Sequence, residues 1–129
     1  MNAIEIVQAA TEAFNQRRID EALAFYDDAV IQRSPGSENG LDFKVRRGKQ
    51  ALRQVLESDN QAQVRFHHQR YIGNENSVAV EGTNSGIFKR VVVEQPVAIF
   101  YELKEDKIAS VTVYYDRLAL RKVLDNACK

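Results

Sequence analysis

Ala3, Val7, Ala10 and Phe14 recur at three- and four-residue spacing, so residues 3–15 are predicted to form an amphipathic helix. Asn2 followed by Glu5 supplies a capping-box start. Gln16-Arg17-Arg18 interrupts the pattern. Asp20 is then expected to cap a short second helix, with Ile19 stapled to Ala24 and with Leu23, Phe25 and Tyr26 on its apolar side. Asp27-Asp28 should end that helix, and Val30 to Arg33 reads as a short strand. Ser34 to Gly40 is rich in turn residues and predicts an exposed loop. Gly48 opens a third helix whose inward stripe is Leu52, Val55 and Leu56.

From residue 63 the period falls to two. Val64, Phe66, His68, Arg70 and Ile72 are expected on one side of a strand, and Gly73 to Asn76 as a hairpin turn. Ser77 to Ile87 is a second strand, with Val78 and Val80 on one face and Glu81, Thr83 and Ser85 on the other. Gly82 and Gly86 inside it suggest a bend or bulge. Lys89 to Gln95 reads as a connection or edge strand, and Pro96 as a strand start. Val97–Lys104 and Ile108–Tyr115 form a last hairpin turning at Glu105-Asp106. Leu120, Val123, Leu124 and Ala127 give a closing helix. Helices first and strands afterwards predict an α+β fold. A sheet bent at its glycines would wrap the front helices as a cone and leave a pocket beyond their reach.

Length and charge narrow the functions. The 129 residues fit one domain. Lys plus Arg equals Asp plus Glu at 18 each, so no overall field favours nucleic acid or an anionic membrane. The longest apolar runs, such as Val97 to Phe100, are too short to span a bilayer, and the first residues lack the pattern of a secretion signal. The lone Cys128 has no cysteine partner for a disulfide or a metal site. The expectation is a cytoplasmic protein.

Candidate chemistry centres on the last strand. Ser110, Thr112, Tyr114 and Asp116 share one face; Ala109, Val111, Val113 and Tyr115 share the other. The polar set suits a pocket wall, and the apolar set suits a core or a dimer face. Asp116, if desolvated there, would serve as general acid/base, with Tyr114 donating a hydrogen bond to a developing oxyanion. The same aspartate is also placed to cap the helix that follows it, with Tyr115 and Leu120 as a staple. Glu81 and His68 are candidate pocket groups, Glu81 equally an outer-face carboxylate and His68 equally a hydrogen-bonded core histidine. His67 and His68 are adjacent on a strand and point to opposite faces, so no metal site is expected.

Several segments together resemble the SnoaL-like (polyketide cyclase-like) group of the nuclear transport factor 2-like superfamily. They are Glu12 to Asn15, Ile19 to Val30, Gly48 to Leu52, Val78 to Thr83 before Gly86, and Lys107-Ile108 leading to Val113-Tyr114-Tyr115-Asp116. The resemblance covers nearly the whole chain. It implies a cone-shaped α+β roll with an internal pocket, usually paired through its sheet as a homodimer. The group includes isomerases, cyclases, dehydratases, epoxide hydrolases and members without chemistry. In its cyclases an aspartate near the end of the last strand is the acid/base, and Asp116 is the nearest match. Those cyclases tend to carry His or Trp where this chain has Thr112, a further pocket candidate. Tyr26 would point its hydroxyl into the pocket, as a tyrosine does in related steroid isomerases. The resulting expectation is a cofactor-free acid/base enzyme acting on a small hydrophobic or carbonyl-containing molecule. Its alternative is a non-catalytic ligand-binding or dimerisation module.

Overall fold

The computed structural model describes residues 1–36 and 42–127, with the side chain of Ala127 outside that set. The turn-rich stretch expected at 34–40 falls largely outside the described residues, as does Cys128. Helix α1 spans Ala3–Asn15 and opens on the capping box: Glu5 N donates to Asn2 Oδ1 and Asn2 N to Glu5 Oε1, both at 2.9 Å. Helix α2 is only Ile19–Leu23. Its N-cap is Arg18, without a side-chain bond, and Asp20 sits inside the first turn, paired with Arg53 at 2.6 Å. Phe25 and Tyr26 are therefore not helical; strand β1 runs Tyr26–Pro35. Strand β2, Phe43–Arg47, was not foreseen. Helix α3 spans Lys49–Gln61 behind Gly48, whose φ of 91° suits glycine. Strands β3 (Arg65–Gly73), β4 (Ser77–Phe88), β5 (Val91–Lys104) and β6 (Lys107–Tyr114) follow, then helix α4 (Arg117–Ala127).

The six strands form one curled, unclosed sheet in the order β2-β1-β6-β5-β4-β3. Every neighbour is antiparallel except β1 and β6, which run parallel. Helices α1, α2 and α3 fill the concave side. One buried cluster joins Ile6, Val7 and Ala10 of α1 to Val78, Val80, Ile99 and Ile108. A second joins Phe14, Leu23, Val30, Leu52, Leu56 and Val64. Tyr26 and Phe66 pack against both. Asn15 ties α1 to the edge strand β3: its Nδ2 donates to Phe66 O at 2.8 Å, and its Oδ1 accepts from Phe66 N at 3.0 Å. The side chain thus satisfies a backbone pair on an edge that would otherwise be open.

Two expectations about the sheet need correction. The irregularity foreseen at Gly82 lies in the partner strand: β4 pairs with β5 without a break from Ser77 to Phe88, while β3 bulges between His68 and Arg70. Gly82 is required because a Cβ there would lie 2.2 Å from the His67 carbonyl oxygen. The bulge reverses side-chain parity, so Arg70 and Ile72 leave the face that Phe66 and His68 occupy, and Tyr71 turns inward instead. Pro96 is not a strand start but lies within β5, opposite Thr83. Strand β6 ends at Tyr114 opposite Ala98, so β5 has a free edge beside Pro96, where a missing N–H is tolerated.

Candidate functional site

Curling the sheet around the helices makes the apolar set of β6 the inner one. Val111 and Val113 line a cavity of about 70 Å³, together with Ala10, Thr11 and Phe14 of α1, Tyr26, Gln32, Tyr101 and the α3 stripe Leu52, Val55, Leu56 and Asp59. The cavity opens into a neck of about 190 Å³, with Gln32, Val55, Asp59, Phe66 and Val113 as common walls. Ser34, Arg46, Asn84, Gln95 and Tyr115 add polar atoms to that neck. The floor is thus mainly apolar, and the neck mixes these polar groups with Val64, Phe88 and Leu120.

Asp59 is the titratable group at the junction. Burial pushes its carboxyl up from 3.8 to about 6, against the opposing pull of the Arg46 guanidinium. Arg46 is itself fixed: Nη1 donates to Gln32 Oε1 at 3.0 Å and to Ser34 Oγ at 3.3 Å. The pairing of β1 with β2 sets Gln32 opposite Arg46 and sends both inward. Gln32, only 7% exposed, is the one polar side chain of the buried set among the described residues, and Arg46 satisfies its oxygen. Tyr115 completes the group; burial raises its phenol, which feels Asp59 and Arg46 as well as Arg117. On the floor, burial pushes the Tyr26 phenol to about 12, so it stays a neutral hydrogen-bond donor at any ordinary pH. Tyr101 is raised too, by burial and by its neighbour Tyr26.

The geometry separates the residues singled out from the sequence. Asp116 is exposed and caps α4: Oδ1 accepts from Ala119 N at 2.9 Å. Tyr114 is 45% exposed on the outer face, with its ring edge-on to Phe43 and Phe100. Thr112, opposite Phe100 in the β5–β6 pairing, shares that outer face, and so does Glu81, opposite Ala98. None of these four lines the cavity. The physical reason is the sense of the curl, which turns the polar face of β6 to solvent and its valines to the helices. Tyr26 does line the cavity. His68 faces inward beside it but outside its walls; Nδ1 lies 2.9 Å from Tyr71 Oη, Nε2 is buried without a partner, and burial pushes the imidazole down to about 4.

Asp59 went unnoticed in the sequence, whereas the pair Arg46-Arg47 reads there as solvated loop charge; the structure instead puts Arg46 within β2, half-buried and bonded to Gln32 and Ser34. A signal for Asp59 exists: Leu52, Val55 and Leu56 are followed by Asp59 at the next position of the same helical face. Among the described residues no group of three or more His, Cys, Asp or Glu is arranged to hold a metal ion, and no helix is long and apolar enough to cross a membrane.

The SnoaL-like domain family matches residues 7–111. The chain belongs to the SnoaL-like family. No curated protein matches the chain in sequence. Solved structures place this SnoaL-like chain among nuclear transport factor 2-like folds. One is such a protein of unknown function from Burkholderia pseudomallei, with TM-score 0.83 and 16% identity over 95% of this chain and 96% of its own. TerC, crystallised with polyporic acid, superposes with TM-score 0.81 and 17% identity over 95% and 97%. SalBIII, an epoxide hydrolase/cyclase-like enzyme with a role in pyran ring formation in the polyether salinomycin, gives 0.76 and 22% over 86% and 88%. Likeness at these identities establishes the fold.

Proposed function

We propose that this SnoaL-like protein is a cofactor-free acid/base catalyst, moving a proton next to the carbonyl of a small cytoplasmic molecule in an isomerase-, cyclase- or dehydratase-type reaction. The observation that carries the reading is Asp59: a carboxyl at the junction of an apolar floor and a polar neck, lifted to about 6. A general base works best with its pKa close to the operating pH. At pH 7 about ten Asp59 carboxylates are ionised for each that is protonated. In the proposed cycle Asp59 takes the proton from carbon and returns it to another position. Tyr26, neutral and on the same cavity wall, donates to the carbonyl oxygen as it becomes an enolate. Arg46 keeps the Asp59 carboxyl from rising further and adds positive charge beside the developing anion. This reading moves the acid/base role from Asp116 to Asp59. Likeness to an epoxide hydrolase/cyclase-like enzyme supports a pocket chemistry of this general kind.

The test is solvent deuterium exchange, followed by proton NMR, into a panel of small 1,3-dicarbonyl compounds and β,γ-unsaturated ketones. Wild type is expected to accelerate exchange at the carbon between the functional groups, with a rate that rises through pH 6. Asp59→Asn is expected to lose at least about 100-fold of that acceleration. Undiminished exchange in Asp59→Asn would refute the catalytic reading and favour a non-catalytic ligand-binding or dimerisation module.

We propose that the chain pairs with a second copy through the outer face of its sheet. Phe100 is 49% exposed, and with Phe43 and Tyr114 it forms an edge-to-face aromatic group at centroid distances of 5.5 and 5.6 Å. Ile72, Ala79 and Ala98 extend the patch towards β3. An exposed apolar patch of this kind, here bordered by Arg70 and Glu81, marks an interaction site. Light scattering should return a dimer for wild type and a monomer for Phe100→Glu; a wild-type monomer at tens of micromolar would remove this proposal.

A further inference from the structure

Beyond the neck lies an open groove of about 550 Å³ whose charge is one-sided. Lys44, Arg46, Lys89, Arg117 and Arg121 line it, with Asp125 as the single carboxylate among the described residues of its walls. That carboxylate is engaged by Arg121, Nε to Oδ2 at 3.7 Å. The chain as a whole carries equal numbers of acidic and basic residues, so the concentration of cations here is local and not a property of the whole surface. The groove is continuous with the neck, since Ser34, Arg46, Tyr115 and Leu120 are walls of both.

Three strands of sequence build the charge. Alternation along β2 sends Lys44 and Arg46 to the same side, and the outward partners Phe43 and Val45 are exposed on the other. Lys89 is the first residue of the two-residue turn between β4 and β5. Both turn residues have positive φ, 49° and 67°, as a two-residue hairpin turn requires, and Lys89 is one of the groove's walls. Arg117, at the start of α4, is anchored by donating Nη1 to Pro35 O at 3.0 Å. The two oxygens that hold Arg46 are a neutral amide and a neutral hydroxyl, so they position its charge without cancelling it.

We propose that the molecule this pocket accepts is a small organic anion. Its carboxylate, or an equivalent acidic oxygen, rests in the Lys44–Lys89–Arg117 groove, its reactive carbon lies at Asp59 where the neck meets the cavity that Tyr26 also lines, and its apolar end enters the floor beside Ala10 and Phe14. The inference rests on the reading of the cavity as a substrate pocket and adds the chemical class and direction of binding. The mainly apolar floor, with the Asp59 carboxylate at its rim, disfavours a ligand's anionic group, because an ion there would lose its hydration without compensation. A cationic groove at the exit recovers that interaction and steers anions towards the opening.

The experiment compares phenylacetate, 3-phenylpropanoate and 4-phenylbutanoate with their methyl esters, titrated into the wild-type chain and followed by backbone amide NMR. At 20 mM salt at least one acid is expected to bind about tenfold tighter than its ester, moving the amides of Gln32, Val113 and Tyr115. The preference should shrink at 0.5 M salt and disappear in Lys44→Gln/Lys89→Gln, whose amide spectrum, with both positions exposed, should otherwise match wild type. Equal binding of acid and ester at those amides overturns the anion assignment and leaves the acid/base reading of Asp59 standing. Retained acid preference together with undiminished exchange in Asp59→Asn removes the catalytic reading and keeps the anion site. Failure of every acid in the series to move those amides at millimolar concentration overturns the inference as well.

Discussion

Asp59→Asn removes a charge that the fold holds in an unfavourable place, so it should stabilise the protein at neutral pH. The carboxyl is lifted from 3.8 to about 6, mainly by burial. At about 1.4 kcal/mol per pH unit, ionising Asp59 in the folded chain costs up to about 3 kcal/mol more than in the unfolded chain. The sign follows from proton binding. Between 3.8 and 6 the folded state holds a proton that the unfolded state has released. Stability from this group is therefore fully present below 3.8 and lost as pH rises through 6. Asparagine is neutral throughout. Urea unfolding of both proteins at half-unit steps from pH 4 to 8 should show the variant gaining on wild type across pH 4–7, up to about 3 kcal/mol, and a plateau above. For a chain of this length that is roughly 10 °C in Tm at pH 7.5. His68 titrates in the opposite sense, but it is present in both proteins and cancels in the difference. A stability difference independent of pH, or one that favours wild type as pH rises, would refute the burial argument and with it the base assigned to Asp59.

His68→Gln should flatten the acid limb of stability: a buried imidazole pushed from 6.5 down to about 4 loses its stabilising effect as pH falls from 6.5 through 4, and the glutamine protein should lose less over that range in the same urea series. Gly82→Ala should lower Tm by more than about 10 °C or abolish soluble expression, because the new methyl would lie 2.2 Å from the His67 carbonyl oxygen and both are held by the β3–β4 ladder.

What the sequence revealed and hid has a consistent physical origin. Hydrophobic period is a local property, and it located α1, α3, β3, β4, the final hairpin and the closing helix, while it cut β5 short at Pro96 and β1 to Val30–Arg33. Strand β2 escaped because Phe43-Lys44-Val45-Arg46-Arg47 sits at the sheet edge, where its inward positions face the neck and groove instead of a core and so carry charge. The face of β6 that meets the pocket is not a local property. It depends on the sense of the curl, and polar side chains on a strand fit a pocket wall and a solvated surface equally well. The choice of Ser110, Thr112, Tyr114 and Asp116 as the wall followed polarity, whereas the concave side had to receive α1 and α3 and therefore took Val111 and Val113. The same logic exposes Asp59. An acid that continues an apolar helical stripe is a conflict between charge and burial, and the fold keeps it at the one place where the stripe passes the end of the core and meets the polar neck. A carboxylate that breaks a hydrophobic pattern is thus better evidence of chemistry than one that completes a polar pattern. In this chain Asp59 is of the first kind and Asp116 of the second.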